Sequence, residues 1–208
     1  MKKVYLVRHG QSEVNAESVR KSFDSPLTNK GHEEAEKLAK RMINVDFDTL
    51  ISSTLKRALQ TAEAISKETD KEITSSDLFV ERKRPQEQLG YNKNSDIVVE
   101  SEKMANQAFL EGRKYKEAES FDELKERSRR ALYFFDNLEE EHIVAVTHGM
   151  FMRVICAHII LGDSLTPENC LEFISNVKTA NTGVTVIEKK KDKWSLLTWN
   201  DHSHFADL

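Results

Sequence analysis

Two histidines that are each followed directly by a glycine are the residues of this sequence best suited to chemistry. His9 and His148 both come at the end of a short, mostly apolar run, and Arg8 stands beside the first of them. A neutral imidazole can act as a nucleophile, and the planar guanidinium of an arginine matches the oxygens of a phosphate. Taken alone, Arg-His-Gly is more typical of a strand end followed by a polar turn. The second His-Gly, far along the chain, favours a shared site for phosphoryl chemistry.

The apolar runs before the two histidines predict the elements that would position them. Residues 4–7 and 142–147 have the pattern of short strands, the first of them buried on both faces. Gly10 allows a sharp turn and a close approach to a ligand. In an open α/β sheet, ligands bind beyond the carboxyl ends of the strands. Two neighbouring strands would therefore bring His9 and His148 into one pocket.

Arg57 and Glu81 are candidate partners of the histidines. Arg57 lies in the first turn of a helix predicted over 55–67, off its apolar stripe. Helical side chains lean toward the N-terminus, which points Arg57 back to the end of a strand predicted over 47–52, although a solvent-facing arginine is the commoner case. Glu81 closes an apolar run that begins at residue 77, and we expect a strand end there. Its carboxyl group is either a solvated cap or part of the pocket rim.

Alternating strand and helix patterns predict an α/β fold. We expect a three-layer α/β/α domain over residues 1–208, with a mostly parallel central sheet. Further helices are predicted at about 29–43, 101–113, 121–139, after residue 149 and from residue 167, and further strands at about 72–74, 182–188 and 194–199, the last two forming an edge hairpin. Residues 84–118 are interpreted as a helical insertion or cap over the site, with Met104, Ala108 and Phe109 on the inner face of its helix. An ordinary helical excursion is the alternative.

Composition excludes several function classes. With 31 Lys and Arg against 35 Asp and Glu, the net charge is −4 at pH 7, so no general nucleic-acid surface is expected. No apolar run approaches the roughly 20 residues that span a bilayer, and Met1 leads into a strand without a signal-peptide pattern. We therefore expect no membrane association and a cytoplasmic location. Cys156 and Cys170 have the pattern of small buried side chains, and His202 and His204 have no third ligand beside them, so no metal site is expected.

Together these features resemble the histidine phosphatase superfamily, also called the phosphoglycerate mutase-like family. The resemblance covers nearly the whole chain and follows the family's order of motifs. The matching segments are 6–15 with Arg-His-Gly, 24–28 with Asp-Ser-Pro-Leu-Thr, Gly31, 52–62 with Arg57, Glu81, 119–120, 146–149 with Thr-His-Gly, and 181–185. Each segment alone is weak, whereas the set is highly specific.

The resemblance implies a metal-independent phosphomonoester hydrolase that needs no cofactor and acts on a phosphorylated small molecule. His9 would take the phosphoryl group and become a phosphohistidine. Glu81 would donate a proton to the leaving oxygen and later accept one from water. The residues expected around the phosphoryl oxygens, where charge must be stabilised, are Arg8, Arg57, His148 and Asn15.

Departures from the family pattern leave the substrate open. Where many members have a glycine, residues 20–23 are Arg-Lys-Ser-Phe, and the segment after Glu81 begins Arg-Lys-Arg-Pro. Ser22, Arg82 and Arg84 are therefore the candidate substrate-binding residues. The basic residues at 82–84 either meet a second anionic group on the substrate or are solvated.

Two functions other than hydrolysis are compatible with this pattern. A phosphoglycerate-type phosphomutase would return the phosphoryl group to a different hydroxyl and must exclude water, whereas a phosphatase admits it. A phosphate-binding protein without turnover is the second alternative, and the presence of all matched catalytic positions counts against it. The edge hairpin is a candidate contact for a homodimer, and the oligomeric state is left open.

Overall fold

The computed structural model describes residues 1–205, which form a sheet of six strands covered by helices. The strands are β1 (Lys2–Arg8), β2 (Thr49–Ser52), β3 (Ile73–Ser75), β4 (His142–Thr147), β5 (Val184–Lys190) and β6 (Lys193–Asp201). The α-helices are α1 (Glu13–Ala16), α2 (Asn29–Met42), α3 (Lys56–Thr69), α4 (Asp96–Leu110), α5 (Phe121–Asn137), α6 (Gly149–Leu161) and α7 (Pro167–Asn176). Among the described residues, no helix is both long and apolar enough to cross a membrane.

The sheet order brings the two His-Gly segments together. The strands follow one another as β3-β2-β4-β1-β5-β6. β1 and β4 are parallel neighbours, with Arg8 opposite Thr147, and the N–H of His9 donates to the carbonyl of Thr147 at 3.1 Å. The β2–β3 and β2–β4 pairs are also parallel, and β5 and β6 form the antiparallel hairpin at one edge. The mostly parallel sheet and the edge hairpin are therefore confirmed.

The alternation of side chains along the strands builds two cores, one on each face of the sheet. Leu6 of β1 packs with Phe135 of α5 and Ile155 of α6. The next residue, Val7, faces the other side and packs with Leu38 of α2 and residues of α3. Successive strand residues point to opposite faces, so a strand that is apolar at both positions needs a helical layer on each side. This confirms the three-layer α/β/α prediction.

The segment that ends at Glu81 is not a strand, contrary to our prediction. Asp77–Phe79 forms a short 3-10 turn, and the chain then continues without regular structure. The Ser76 side chain accepts the N–H of Leu78 at 3.2 Å and starts the turn, while Phe79 is fully buried in the core. The apolar run therefore reflects one deeply inserted aromatic residue rather than a strand beside β3.

The helix predicted over 101–113 begins five residues earlier than predicted and presents a different face. α4 starts at Asp96, where the β-branched residues Ile97, Val98 and Val99 made a helix hard to recognise. Its buried residues are Val98, Ser101, Ala105, Ala108 and Phe109. Met104 lies off this stripe and is 40% exposed, so its assignment to the inner face was wrong, whereas Ala108 and Phe109 are confirmed there.

Candidate active site

The loop after β1 holds the imidazole of His9 in one tautomer. His9 is buried, and its Nδ1 lies 2.7 Å from the carbonyl oxygen of Gly10. A carbonyl can only accept, so Nδ1 carries the hydrogen and Nε2 carries the lone pair. Burial, with the cations Arg57 and Arg8 nearby, holds the pKa of His9 well below 6.5. The ring is therefore neutral, as a nucleophile must be.

Close backbone packing fixes this loop. The N–H of Gly10 donates to Thr61 Oγ1 at 3.1 Å, and Thr28, the N-cap of α2, accepts from Gly31 N at 3.0 Å. A Cβ on Gly10 would lie 2.5 Å from the carbonyl oxygen of Gly31, and a Cβ on Gly31 would lie 1.9 Å from that of Gln11. Both positions therefore need glycine so that the loop can lie against the start of α2.

His148 faces His9 across the site. Their ring centroids are 5.0 Å apart, and His148 Nε2 lies 2.8 Å from Ser53 Oγ. Ser53 Oγ already accepts the N–H of Leu55 at 3.2 Å, so its own hydrogen is suited to Nε2. This favours hydrogen on Nδ1 of His148, a buried atom without a partner among the described residues. Burial and the nearby Arg57 hold the pKa of His148 well below 6.5.

Two guanidiniums complete the inner part of the site. Arg57 Nε donates to His9 Nε2 at 3.1 Å, and its Nη1 donates to the carbonyl of Phe23 at 2.7 Å. Arg8 Nη1 donates to the carbonyl of Thr179 at 2.5 Å, while its buried Nε has no partner within residues 1–205. Arg8, His9 and Arg57 line one pocket of about 760 Å³. The structure thus brings together the residues predicted to surround a phosphoryl group.

Glu81 sits at the N-terminus of α6 on the wall of the same pocket. Its carboxylate accepts the N–H groups of Met150 and Phe151 at 3.2 and 3.1 Å, and that of Arg82 at 3.0 Å. The positive end of the helix dipole favours a carboxylate at this position. Of our two alternatives for Glu81, the pocket wall is the one observed.

Arg127, a residue that no sequence motif singled out, holds the segment that carries Glu81. Its guanidinium pairs with both oxygens of Glu119 at 2.8 Å and donates to the carbonyls of Leu78 and Val80 at 3.1 and 2.7 Å. Glu119 in turn accepts the N–H of Lys83 at 3.0 Å. The two residues therefore fix the backbone on both sides of Glu81. The sequence did contain one signal for this role: Arg127 lies between Leu124 and Ala131 at the helical spacing of the buried residues of α5, where a charged side chain needs a partner.

The remaining predicted residues fall into three places. Asn15 lines the pocket, and its Oδ1 accepts from Ser12 Oγ at 3.0 Å, which leaves the amide NH₂ as a donor. Ser22 is exposed, does not line the pocket, and accepts the N–H of Asp24 at 3.0 Å. Arg82 and Arg84 both line the pocket. Within residues 1–205, no three His, Cys, Asp or Glu side chains are grouped as a metal ion would need.

Comparison with known proteins assigns the family. The family model of the histidine phosphatase superfamily (branch 1) matches residues 4–202. A protein of Photorhabdus laumondii named "Probable phosphoglycerate mutase GpmB" is 31% identical over 167 residues, which cover 77% of this chain and 75% of that protein.

Solved structures share the fold. The phosphoserine phosphatase of Entamoeba histolytica, solved in complex with 3-phosphoglyceric acid, superposes with a TM-score of 0.75 at 24% identity, covering 98% of this chain and 99% of that one. The alpha-ribazole phosphatase of Shigella flexneri gives a TM-score of 0.77 at 18% identity, with 96% of each chain covered. The match of the family model over almost the whole sequence is decisive, and this chain belongs to branch 1 of the histidine phosphatase superfamily.

Proposed function

We propose that the protein is a metal-independent phosphomonoester hydrolase that works through a phosphohistidine on His9. The observation that carries the proposal is the state of that imidazole. It is buried and neutral, its Nδ1–H is bound to Gly10 O, and its Nε2 lone pair lies next to the guanidinium of Arg57. Such a group can attack a phosphorus atom whose oxygens are held by Arg8 and Arg57.

In the first step, His9 Nε2 forms a bond to phosphorus while the bond from phosphorus to the ester oxygen breaks. The electron pair of that bond stays on the leaving oxygen, which takes a proton from Glu81; the carboxylate of the free protein accepts this proton from the phosphate monoanion as it binds. The ring keeps its Nδ1–H and becomes positively charged, and the carbonyl of Gly10 stabilises that charge at 2.7 Å. Arg8, Arg57 and the Nδ1–H of His148 stabilise the charge on the phosphoryl oxygens.

In the second step, water attacks the phosphohistidine. Glu81, now a carboxylate, accepts a proton from the water as its oxygen bonds to phosphorus, and the bond to Nε2 breaks. Inorganic phosphate leaves with the proton that Glu81 has accepted, and His9 and Glu81 return to their starting states. After the first step Glu81 is a carboxylate, and the hydrogen bonds that it accepts from the N–H groups at the start of α6 stabilise that charge.

A phosphomutase is the second candidate, favoured by the name of the Photorhabdus relative. A mutase must keep its displaced product and exclude water between the two transfers. The pocket of about 760 Å³ is much larger than a phosphate and extends to the exposed side chains of Lys83 and Arg84. This width supports access for water and hence hydrolysis.

The experiment that tests the proposal is hydrolysis of p-nitrophenyl phosphate with EDTA present, by the wild type and by His9→Ala. We expect activity that survives the chelator, is lost in the variant, and is accompanied by an acid-labile phosphoryl label on the wild type alone. Normal rates in His9→Ala would refute the mechanism. Labelling with return of the phosphoryl group to an added phosphoglycerate, and without release of phosphate, would establish the mutase instead.

A further inference from the structure

We propose, on the basis of the function proposed above, that Asn181 is a positioning residue for the nucleophile and that the C-terminal turn holds Asn181 in place. Asn181 lies in the loop before β5, and its Nδ2 donates to the backbone carbonyl of His9 at 3.0 Å. The N–H of Thr182 donates to the same carbonyl at 3.4 Å. The turn is Ser203–Phe205, and it contacts this loop through His204. Asn181 contacts the backbone of His9 and not its ring, so it acts on the reaction through His9.

The peptide unit between His9 and Gly10 is held at both ends. Its carbonyl accepts from Asn181, and its N–H donates to Thr61 Oγ1 at 3.1 Å. A peptide unit is planar, so these two contacts fix its orientation. The next carbonyl, that of Gly10, is the acceptor for Nδ1 of His9 at 2.7 Å. Because a glycine backbone rotates more freely than any other, fixing the unit before it keeps that acceptor against the imidazole.

Thr182 has a backbone conformation that a threonine rarely adopts. Its φ is +55°, in the left-handed region, which is unfavourable for a β-branched residue. Thr182 is completely buried, and its Oγ1 donates to the carbonyl of Asn181 at 2.7 Å. Such a conformation persists only where the surrounding contacts hold it. The contacts of this hydroxyl group therefore determine the direction in which Asn181 points.

His204 makes the second contact of the Thr182 hydroxyl group. Its Nε2 lies 2.9 Å from Thr182 Oγ1. The single hydrogen of the hydroxyl group is donated to Asn181, so Nε2 carries a hydrogen and is the donor. Nδ1 is then the acceptor, and it lies 3.4 Å from Nη1 of Arg41 in α2, which also pairs with Asp201. Burial and the nearby Arg41 lower the pKa of His204 to about 4, so the ring is neutral, as this arrangement requires.

Consecutive hydrogen bonds thus join the C-terminal turn to the nucleophile. They run from His204 to Thr182, from Thr182 to Asn181, and from Asn181 to His9. None of the first three residues lines the pocket of about 760 Å³ that contains His9. A change at His204 would therefore shift His9 and leave the groups that bind phosphate in place. The structure predicts an effect on kcat without an effect on KM.

Kinetics with p-nitrophenyl phosphate test the inference. Asn181→Ala should lower kcat about ten- to a hundredfold at an unchanged KM, because a nucleophile misplaced by about 1 Å can cost about 10²-fold. His204→Leu should lower kcat about three- to tenfold, as expected for the loss of one neutral hydrogen bond. His204→Gln should restore the wild-type rate, because its amide can donate from near the position of Nε2. His32→Leu, at an exposed histidine of α2, is the control.

Two kinetic results would contradict the inference. A normal kcat in Asn181→Ala, or a raised KM in place of a lowered kcat, would remove Asn181 from the positioning of His9. Equal losses in His204→Leu and His204→Gln would show that the donor on His204 does not hold the loop.

The proton on Nδ1 of His9 gives a readout that needs no turnover. Its NMR signal reports the hydrogen bond to Gly10 O, because a proton in a buried hydrogen bond exchanges slowly with water. The signal is assigned by its absence in His9→Gln. We expect slow exchange in the wild type, His204→Gln and His32→Leu, and faster exchange in Asn181→Ala and His204→Leu. Equal exchange in all of these would overturn the inference. Faster exchange in the two variants of a protein that hydrolyses no ester would refute the proposed function and leave the positioning of His9 established.

Discussion

Because His9 and His148 are buried as neutral rings, the stability of the protein should fall as the pH is lowered. Their pKa values are held well below 6.5 in the native state, whereas in the unfolded chain each lies near 6.5. Below that value the unfolded chain binds protons that the native state does not, so the free energy of unfolding decreases with decreasing pH. Above it, neither state is protonated and the contribution is constant.

The size of the effect depends on the unfolded chain. One histidine that titrates near 6.5 in the unfolded chain and stays neutral in the native state lowers the free energy of unfolding by about 1.4 kcal/mol between pH 7.5 and 5.5. The two histidines together contribute about 2.7 kcal/mol. For a chain of this size, 1 kcal/mol moves the Tm by about 2–4 °C, so the pair accounts for a decrease of roughly 5–10 °C.

Urea unfolding monitored by tryptophan fluorescence, in phosphate-free buffer at both pH values, measures this contribution. His9→Gln and His148→Gln should each reduce the change in free energy between the two pH values by about 1.4 kcal/mol. His158 and His204, whose pKa values burial also lowers, the latter to about 4, are present in every variant and cancel in the comparison. If His9→Gln kept the full pH dependence of the wild type, His9 would not be a buried neutral ring, and its role as a ready nucleophile would lose its support.

Three further substitutions probe the machinery around the histidines. Glu81→Gln should lower kcat about 10²- to 10⁴-fold while inorganic phosphate still binds with a similar Kd; a normal kcat would remove Glu81 from proton transfer. Arg127→Met leaves Glu119 without its partner and should lower the free energy of unfolding by about 3–5 kcal/mol, with a fall in kcat in the folded fraction; a stable, fully active variant would show that the pair does not position Glu81. Gly31→Ala, whose Cβ would meet Gln11 O at 1.9 Å, should destabilise by about 3 kcal/mol in chemical denaturation, and an unchanged midpoint would contradict the need for glycine there.

The strands, and the meeting of His9, His148 and Arg57 at the site, could be predicted from the sequence because local patterns determine them. A fully apolar run has to be buried on both faces, and the parallel pairing of two such runs places the residues after each run at one edge of the sheet. His9 and His148 therefore met as expected. Arg57 also turned inward, because a side chain in the first turn of α3 leans back toward the end of β2.

The outer part of the pocket could not be predicted from the sequence because it depends on contacts between residues that are distant along the chain. The turn at Asp77–Phe79 forms because Phe79 packs into the core beside Phe135 of α5. No periodic pattern of apolar residues around Phe79 predicts this burial. The partnership of Arg127 with Glu119 is a side-chain geometry of the folded chain. Likewise, the pairing of residues 18–20 with 90–93 joins segments without apolar periodicity, so the wall that they form could not be placed in advance.

The hydrogen bond from Arg57 Nε to His9 Nε2, 3.1 Å long, affects the chemical selectivity of the protein before a ligand binds. The lone pair that would attack phosphorus is occupied by the guanidinium N–H. We expect a ligand with anionic oxygens to draw the guanidinium away, so that its arrival uncovers the proposed nucleophile. Neutral electrophiles of similar size have no anionic oxygen to accept the N–H of Arg57. His9 should therefore react with them slowly, although its Nε2 is unprotonated. If His9 is the nucleophile, as we propose, this hydrogen bond covers its reactive nitrogen until an anionic ligand binds.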